Sequence, residues 1–204
     1  MAKKGKYLPA EERRAVIVET VLTLAAEGNP SEITTAAIAD RMGLTQGALF
    51  RHFSNKDAIW EAVMTWVSER LLERVDHASL SALNPLEGLE AVFFSHISFI
   101  DEYPGVPGIF FGELQRSEES PARRQAKTLM EKYSGRILRM LDAGKKAGLI
   151  DKKVESRVAA GLFIGIIQGL VLQSRLSGAA VSVSRNAAGV FALFRRGIEE
   201  GDQS

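Results

Sequence analysis

The sequence contains no cysteine and only three histidines. The absence of cysteine excludes disulfides, thiolate metal sites and cysteine nucleophiles. His52, His77 and His96 are too dispersed to indicate a histidine-rich metal site. Catalytic signatures such as a GxSxG elbow, an HExxH pair, a P-loop or a dinucleotide-binding glycine loop are also missing. We therefore expect no enzyme, no metal and no organic cofactor.

An excess of one charge and a membrane-length apolar run are missing as well. The 26 Lys and Arg nearly cancel the 25 Asp and Glu, and the formal net charge is +1. This balance excludes a uniformly basic protein but allows a local basic patch. No apolar run follows the basic N-terminus, and the apolar segment 158–172 is shorter than the about 20 residues that a membrane span needs. We expect a cytoplasmic protein without a membrane segment, in which 158–172 is a core or interface helix.

Helical spacing of apolar residues continues almost throughout the chain, whereas the alternation typical of strands is nearly absent. Asn84-Pro85 and Ser120-Pro121 each place a capping side chain before a proline suited to a first helical turn. The fold class predicted is all-α, with an N-terminal three-helix module (1–55) joined to a larger helical domain (56–204). About nine helices are predicted, at residues 10–27, 35–42, 46–53, 55–78, 85–102, 107–116, 121–147, 154–177 and 184–200.

Residues 34–56 carry the pattern of a helix-turn-helix unit. Thr34 or Thr35 can cap a short helix, and Gly43 follows it at a position where a left-handed turn favours a residue without Cβ. Thr45 can then cap the next helix. Two helices joined by so tight a glycine turn form a helix-turn-helix.

The two faces of the second of these helices differ in chemistry. Leu49 and Phe53 are four residues apart and are predicted to point inward. A glutamine can make a bidentate contact with adenine and an arginine with guanine, while a glycine allows close approach to a duplex. The alternative is an ordinary solvated helix face. The outward face carries Gln46, Gly47, Phe50 and Arg51.

This segment resembles the DNA-binding domain of the TetR/AcrR family of bacterial transcriptional regulators over roughly residues 13–64. The resemblance rests on Leu24–Gly28, Ile38-Ala39, Gly43–Thr45, Gly47–Phe53 and Lys56–Ile59. Two departures are a phenylalanine at position 50, where the family most often has a phosphate-contacting tyrosine, and a slightly longer loop after Gly28. Carried over position by position, the resemblance implies DNA contact by Thr35, Thr45, Gln46, Gly47, Phe50, Arg51, His52 and Lys56. For His52, a buried, hydrogen-bonded side chain is an equal alternative.

The resemblance also implies a function for the rest of the chain. In the family, the C-terminal helical domain dimerises through its last two helices and usually encloses a small-molecule pocket. Ligand binding there changes the spacing of the paired DNA-binding modules and releases the operator. We therefore expect a homodimeric repressor that binds a palindromic double-stranded operator and is released by a small apolar or amphipathic effector. A helical adaptor is the main alternative, but it leaves the Gln46/Arg51 face unexplained.

Two sets of residues in the larger domain are candidates for these roles. Glycines recur every four residues along helix 154–177, and an apolar stripe follows in the last helix, so we predict a dimer interface at Gly161, Gly165, Gly169, Val190, Phe191 and Phe194. The alternative for both stripes is the core of a single chain. Aromatic residues around a Gly/Pro break in 93–115, together with helix 121–147, predict an effector pocket, with core packing as the alternative for most of them. The pocket candidates are Phe93, His96, Phe99, Phe110, Phe111, Met130 and Tyr133.

Overall fold

The computed structural model describes residues 9–176 and 182–200. Within these residues it contains helices but no strand, and a lone bridge joins Ile150 to Glu199. This architecture confirms the predicted all-α fold with nine helices. Two short 3-10 turns, Pro30–Glu32 and Val183–Asn186, precede α2 and α9. The helices are α1 (Ala10–Glu27), α2 (Thr35–Arg41), α3 (Gln46–Leu49), α4 (Lys56–Leu80), α5 (Pro85–Glu102), α6 (Val106–Gln115), α7 (Pro121–Lys146), α8 (Ser156–Leu176) and α9 (Ala187–Ile198).

Two helices are at least four residues shorter than the sequence predicted. The helix predicted over 46–53 ends at Leu49, because the Arg51 and His52 N–H groups donate to carbonyls only three residues back. The helix predicted over 184–200 begins at Ala187, after the second 3-10 turn, and ends at Ile198, where Glu199 turns to extended backbone. Residue 177, where α8 was predicted to end, lies outside the described residues.

The chain divides into two compact units. The first unit comprises the chain up to Val67 together with Tyr103–Ala126, and the second comprises Ser68–Glu102 and the chain from Lys127 onward. Helix α4 therefore contributes to both units, and α6 belongs to the unit that contains the N-terminal helices. The division into an N-terminal module (1–55) and a larger helical domain (56–204) stays a prediction.

The core of the first unit is built from apolar residues at helical spacing. Ile17 and Val21 of α1, Leu49 of α3 and Ile59 and Val63 of α4 are all fully or almost fully buried. Spacings of four residues place each pair on one face of its helix. These buried faces form the core of the unit, and the short helix α3 packs against α2.

The start of α6 lies against the end of α1. A Cβ atom added at Gly105 would stand 2.7 Å from the carbonyl carbon of Ala25 and from the amide nitrogen of Ala26. Real Cβ atoms essentially never approach backbone so closely. The absence of a side chain at this position is therefore what allows the two helices to meet.

The core of the second unit is aromatic. Phe93 of α5 packs against Phe163 of α8 and Phe191 of α9, with ring centroids 5.8 and 5.1 Å apart. Phe194 contacts Phe163 edge to face at 5.5 Å. All four rings are buried. Phe191 and Phe194 thus fill the core of a single chain, which is the alternative that the sequence left open for the last helix.

A polar pair stands within this aromatic unit. The Nδ1 atom of His96 lies 2.9 Å from the hydroxyl of Tyr133, and the tyrosine is buried. Removal from water disfavours the charged form of both groups, so burial lowers the pKa of His96 to about 4 and raises the pKa of Tyr133 above its ordinary value. Near neutral pH both side chains are therefore uncharged.

A methyl group at Gly105 is expected to destabilise the first unit. Gly105→Ala should lower the free energy of unfolding by about 1–3 kcal/mol, because the new Cβ has to push the backbone of α1 away. Gly112→Ala in the same helix is the matched control: its Cβ would enter open space, and we expect a gain of roughly 0.5–1 kcal/mol. Denaturant unfolding measures both, and equal effects of the two substitutions would contradict the close contact.

The buried His96 is expected to make stability depend on pH. Between the ordinary histidine pKa of 6.5 and about 4, the unfolded chain binds a proton that the folded chain excludes. The stability that the neutral His96 contributes is therefore fully present above pH 6.5 and is lost as the pH falls toward 4. The loss is at most about 3 kcal/mol, because part of the side chain still reaches solvent. His96→Gln keeps hydrogen-bonding groups without titrating, so its unfolding free energy should fall less between pH 7.5 and 5. Identical pH profiles would refute this.

Candidate nucleic-acid interface

The helix-turn-helix is fixed by two threonine caps and one glycine. The Thr34 hydroxyl oxygen accepts the Ala37 N–H at 3.1 Å, which decides between the two possible caps of α2. Gly43 ends α2 with φ of +64°, the left-handed conformation that favours glycine. The Leu44 N–H then returns to the Ala39 carbonyl at 2.8 Å. Thr45 caps α3 by accepting the Ala48 N–H at 3.2 Å.

The faces of α3 separate as predicted. Leu49 and Phe53 are buried, and Phe50 is 41% exposed despite its size. The position of α3 is strengthened by Arg14 of α1, whose guanidinium lies 4.5 Å from the Phe53 ring centre and donates to the His52 carbonyl at 3.2 Å. No sequence signal pointed to this role of Arg14. The side chains that α3 and the following turn present to solvent are Gln46, Gly47, Phe50 and Arg51.

The other predicted DNA-contacting residues lie on neighbouring parts of the same unit. Thr35 and His52 are half-buried, whereas Thr45 and Lys56 are exposed. The Lys56 ammonium stands 6.0 Å above the Trp60 ring. Asn55, which the sequence analysis did not single out, caps α4 by accepting the Ala58 N–H at 2.8 Å. An asparagine three residues before a helical N–H is a recognisable capping signal.

Two ion pairs join helices of the same unit. Arg41 of α2 makes two hydrogen bonds to the carboxylate of Glu27 at the end of α1, at 2.9 and 2.5 Å. This pairing lowers the pKa of Glu27 and raises the pKa of Arg41. At the start of α4, Arg116 stands 3.5 Å from the Asp57 carboxylate.

Helix α8 has one face in the core of the second unit and one apolar face that the described chain leaves uncovered. Phe163 and Ile167 are buried, but four large side chains on the other face are 53–79% exposed. Cβ atoms added at Gly161, Gly165 or Gly169 would meet no other described part of this chain within 4 Å. The predicted glycine stripe therefore packs against nothing in the described part of its own chain. The exposed side chains are Val158, Leu162, Leu172 and Leu176.

The same helix is, among the residues described, the one long and apolar enough to cross a membrane by length and composition. The core helix of a soluble protein passes the same test, and one such helix is weak support for a span. Its buried face is part of the aromatic core around Phe163.

In α9, Val190, which was predicted to lie in the dimer interface, is half-buried.

The predicted pocket residues are divided between the two units. Phe93, Phe99 and Tyr133 are buried in the second unit. His96 and Met130 in that unit are half-buried, and Phe110 and Phe111 of α6 are half-buried in the first, edge to face at 5.7 Å. Within residues 9–176 and 182–200, no three acidic or histidine side chains form a group that could hold a metal ion.

Comparisons with known proteins agree with this geometry. Residues 17–63 match the family described as bacterial regulatory proteins, tetR family. Over 159 residues the chain is 26% identical to the nucleoid occlusion factor SlmA of Vibrio vulnificus, an alignment that covers 77% of this chain and 81% of that protein.

Two solved structures have the same fold. The ketosteroid transcriptional regulator KstR2 of Mycobacterium tuberculosis superposes with a TM-score of 0.78 at 21% identity, over 93% of this chain and 96% of that one. FadR from Bacillus subtilis, in complex with stearoyl-CoA, superposes with a TM-score of 0.77 at 20% identity, over 89% and 97% of the two chains. From the capped helices, the left-handed glycine between them and the match over residues 17–63, we conclude that these residues form a domain of the TetR family of bacterial regulatory proteins.

Proposed function

We propose that this protein is a ligand-responsive, DNA-binding transcriptional regulator of the cytoplasm. In this proposal it is a repressor that binds a palindromic operator as a homodimer and is released by a small apolar or amphipathic effector. The observation that carries the proposal is the exposed face of α3, where Gln46 and Arg51 accompany Gly47 while Leu49 is buried behind them. The match of residues 17–63 to the TetR family and the TetR-like fold support it.

The chemistry of this face suits the major groove of DNA. Gln46 can pair with an adenine edge and Arg51 with a guanine edge, and Gly47 lets the helix approach closely. The exposed ring of Phe50 gains an apolar partner when it packs against the duplex. No catalytic role is needed to explain any of these residues.

Contacts to the DNA backbone are assigned to the edges of the same surface. The Thr45 hydroxyl accepts an N–H within α3 and keeps its own O–H free to donate to a phosphate. Lys56, exposed at the start of α4, supplies a positive charge beside the backbone N–H groups of that helix. Thr35 and His52 are half-buried beside them and complete the phosphate-contacting edge.

The homodimer is proposed from the uncovered face of α8. Large apolar patches on a soluble protein are usually covered by a partner, and glycines with open space above them allow another helix to approach closely. A single short recognition helix also buries too little surface for specific DNA binding alone. Two copies of Gly161, Gly165 and Gly169 facing each other, with α9 beside them, satisfy both requirements with two-fold symmetry.

The effector site is proposed among the aromatic residues of α5 and α7. The His96–Tyr133 pair is a polar anchor within apolar surroundings, and Met130 is half-buried on α7. Phe93 and Phe99 form the apolar wall, and Phe110 and Phe111 remain candidates on α6. FadR from Bacillus subtilis, which has this fold, binds stearoyl-CoA, an amphipathic molecule. The effector releases DNA by binding one conformation better than the other.

Substitutions on the proposed interface should separate base contacts from phosphate contacts. Gln46→Ala and Arg51→Ala should each cost roughly 1–3 kcal/mol on the operator and relax preference at one base position. Lys56→Ala should weaken operator and scrambled DNA alike and reduce the salt slope by about one. Binding measured over a salt series decides between them. If Gln46→Ala weakens both duplexes equally, Gln46 does not read a base.

A large side chain in the glycine stripe should weaken the dimer and spare the monomer fold. Gly165→Leu projects into space that this chain leaves open, so we expect a dissociation constant higher by about tenfold or more and an unchanged helical content. Gly112→Leu is the matched control, because its position on α6 is equally open but lies outside the proposed interface. Sedimentation equilibrium measures both. A native chain that is monomeric at micromolar concentration would contradict the proposed dimer.

A further inference from the structure

Arg116 joins carboxylates from two helices of the first unit. It directly follows the last residue of α6, and its Nη1 atom lies 3.5 Å from Oδ1 of Asp57 in α4. The same Nη1 atom lies 3.5 Å from Oε1 of Glu113, one turn earlier in α6. One guanidinium therefore faces two negative charges. No function described so far uses this group.

Glu113 is a buried carboxylate that is held by one hydroxyl and one guanidinium. Its side chain is 8% exposed, and the hydroxyl of Ser120 donates to it at 2.9 Å. Ser120 is itself buried and accepts the Arg123 N–H at the start of α7. A buried charge is tolerated only with hydrogen bonds and an opposite charge nearby. Arg116 supplies that charge, and Glu113 in turn keeps the guanidinium in place.

Asp57 lies next to Lys56, which is proposed to contact a DNA phosphate. It follows Lys56 in the first turn of α4, and about half of its side chain is exposed. A carboxylate there is favourable for the helix, because the first turn carries a partial positive charge. The same carboxylate opposes phosphate binding at Lys56, because the two residues are adjacent and salt screens fully only those charges that lie farther apart than about 8 Å.

We propose that Arg116 is a positioning residue for the phosphate contact: it offsets part of the negative charge of Asp57 beside Lys56, and the buried Glu113 holds it there. The inference rests on the DNA binding proposed above.

The test is the affinity of the full-length protein for its operator and for an unrelated duplex over a salt series. Arg116→Gln should weaken both about threefold to tenfold at roughly 0.1 M salt, and the loss should shrink as salt is raised. Arg116→Lys keeps the charge and should bind within about twofold of the native protein. In an Asp57→Asn background, Arg116→Gln should cost less than about twofold, because the charge to be neutralised is gone.

Two further variants keep the experiment decisive. Arg70→Gln also removes one positive charge but breaks only an exposed pair with Glu73, so it should leave both affinities nearly unchanged. If Arg116→Gln fails to fold because Glu113 loses its partner, the double variant with Glu113→Gln leaves no buried charge without a partner. Its affinity is then compared with that of Glu113→Gln alone, and the same loss is expected.

An undiminished affinity of Arg116→Gln, or an equal loss with and without Asp57, would overturn the inference while leaving DNA binding intact. The second result would mean that Arg116 touches DNA itself. A native protein that binds neither duplex would overturn the proposed function together with this inference.

Discussion

The burial of Leu49 and Phe53 is the constraint on which the proposed DNA-facing surface depends. Helix α3 is a single turn, and so short a helix is not stable by itself in water. Its orientation therefore comes from packing: Leu49 is fully buried, and Phe53 lies beneath the guanidinium of Arg14. With these two side chains inside, Gln46 of α3 and Arg51 of the following turn are left exposed to solvent. The proposed recognition chemistry is thus a consequence of core packing in the first unit.

Helix α6 is part of the same unit, so the proposed DNA-facing surface also depends on the contacts of α6 with α1 and α4. Its first turn is pressed against α1 at Gly105, and its last turn is tied to α4 through Arg116 and Asp57. Both contacts involve positions next to helix ends, where small shifts change packing or charge most directly.

Much of the fold could be predicted because local signals mark helix ends. The bounds of α1 and α5 agree with the prediction, and the Gly43 turn follows from a conformation that only glycine adopts cheaply. The early end of α3, where the Arg51 and His52 N–H groups bond to carbonyls three residues back, has no such signal. Apolar stripes also look alike whether they face a core or a partner: Phe191 and Phe194 are buried within the chain, whereas the glycines of α8 face open space. Contacts such as Arg116 with Asp57 join residues far apart in sequence and were not predictable.

The central claim is that two copies of this chain present the α3 face to one duplex. Selection of bound DNA from a random duplex pool tests it most directly, because the enriched sequence reports affinity, specificity and symmetry together. The account predicts an inverted repeat whose half-site centres are separated by about a whole number of helical turns, as two-fold protein symmetry requires. Enrichment of a single, non-repeated site, or no enrichment above an unselected pool, would contradict it.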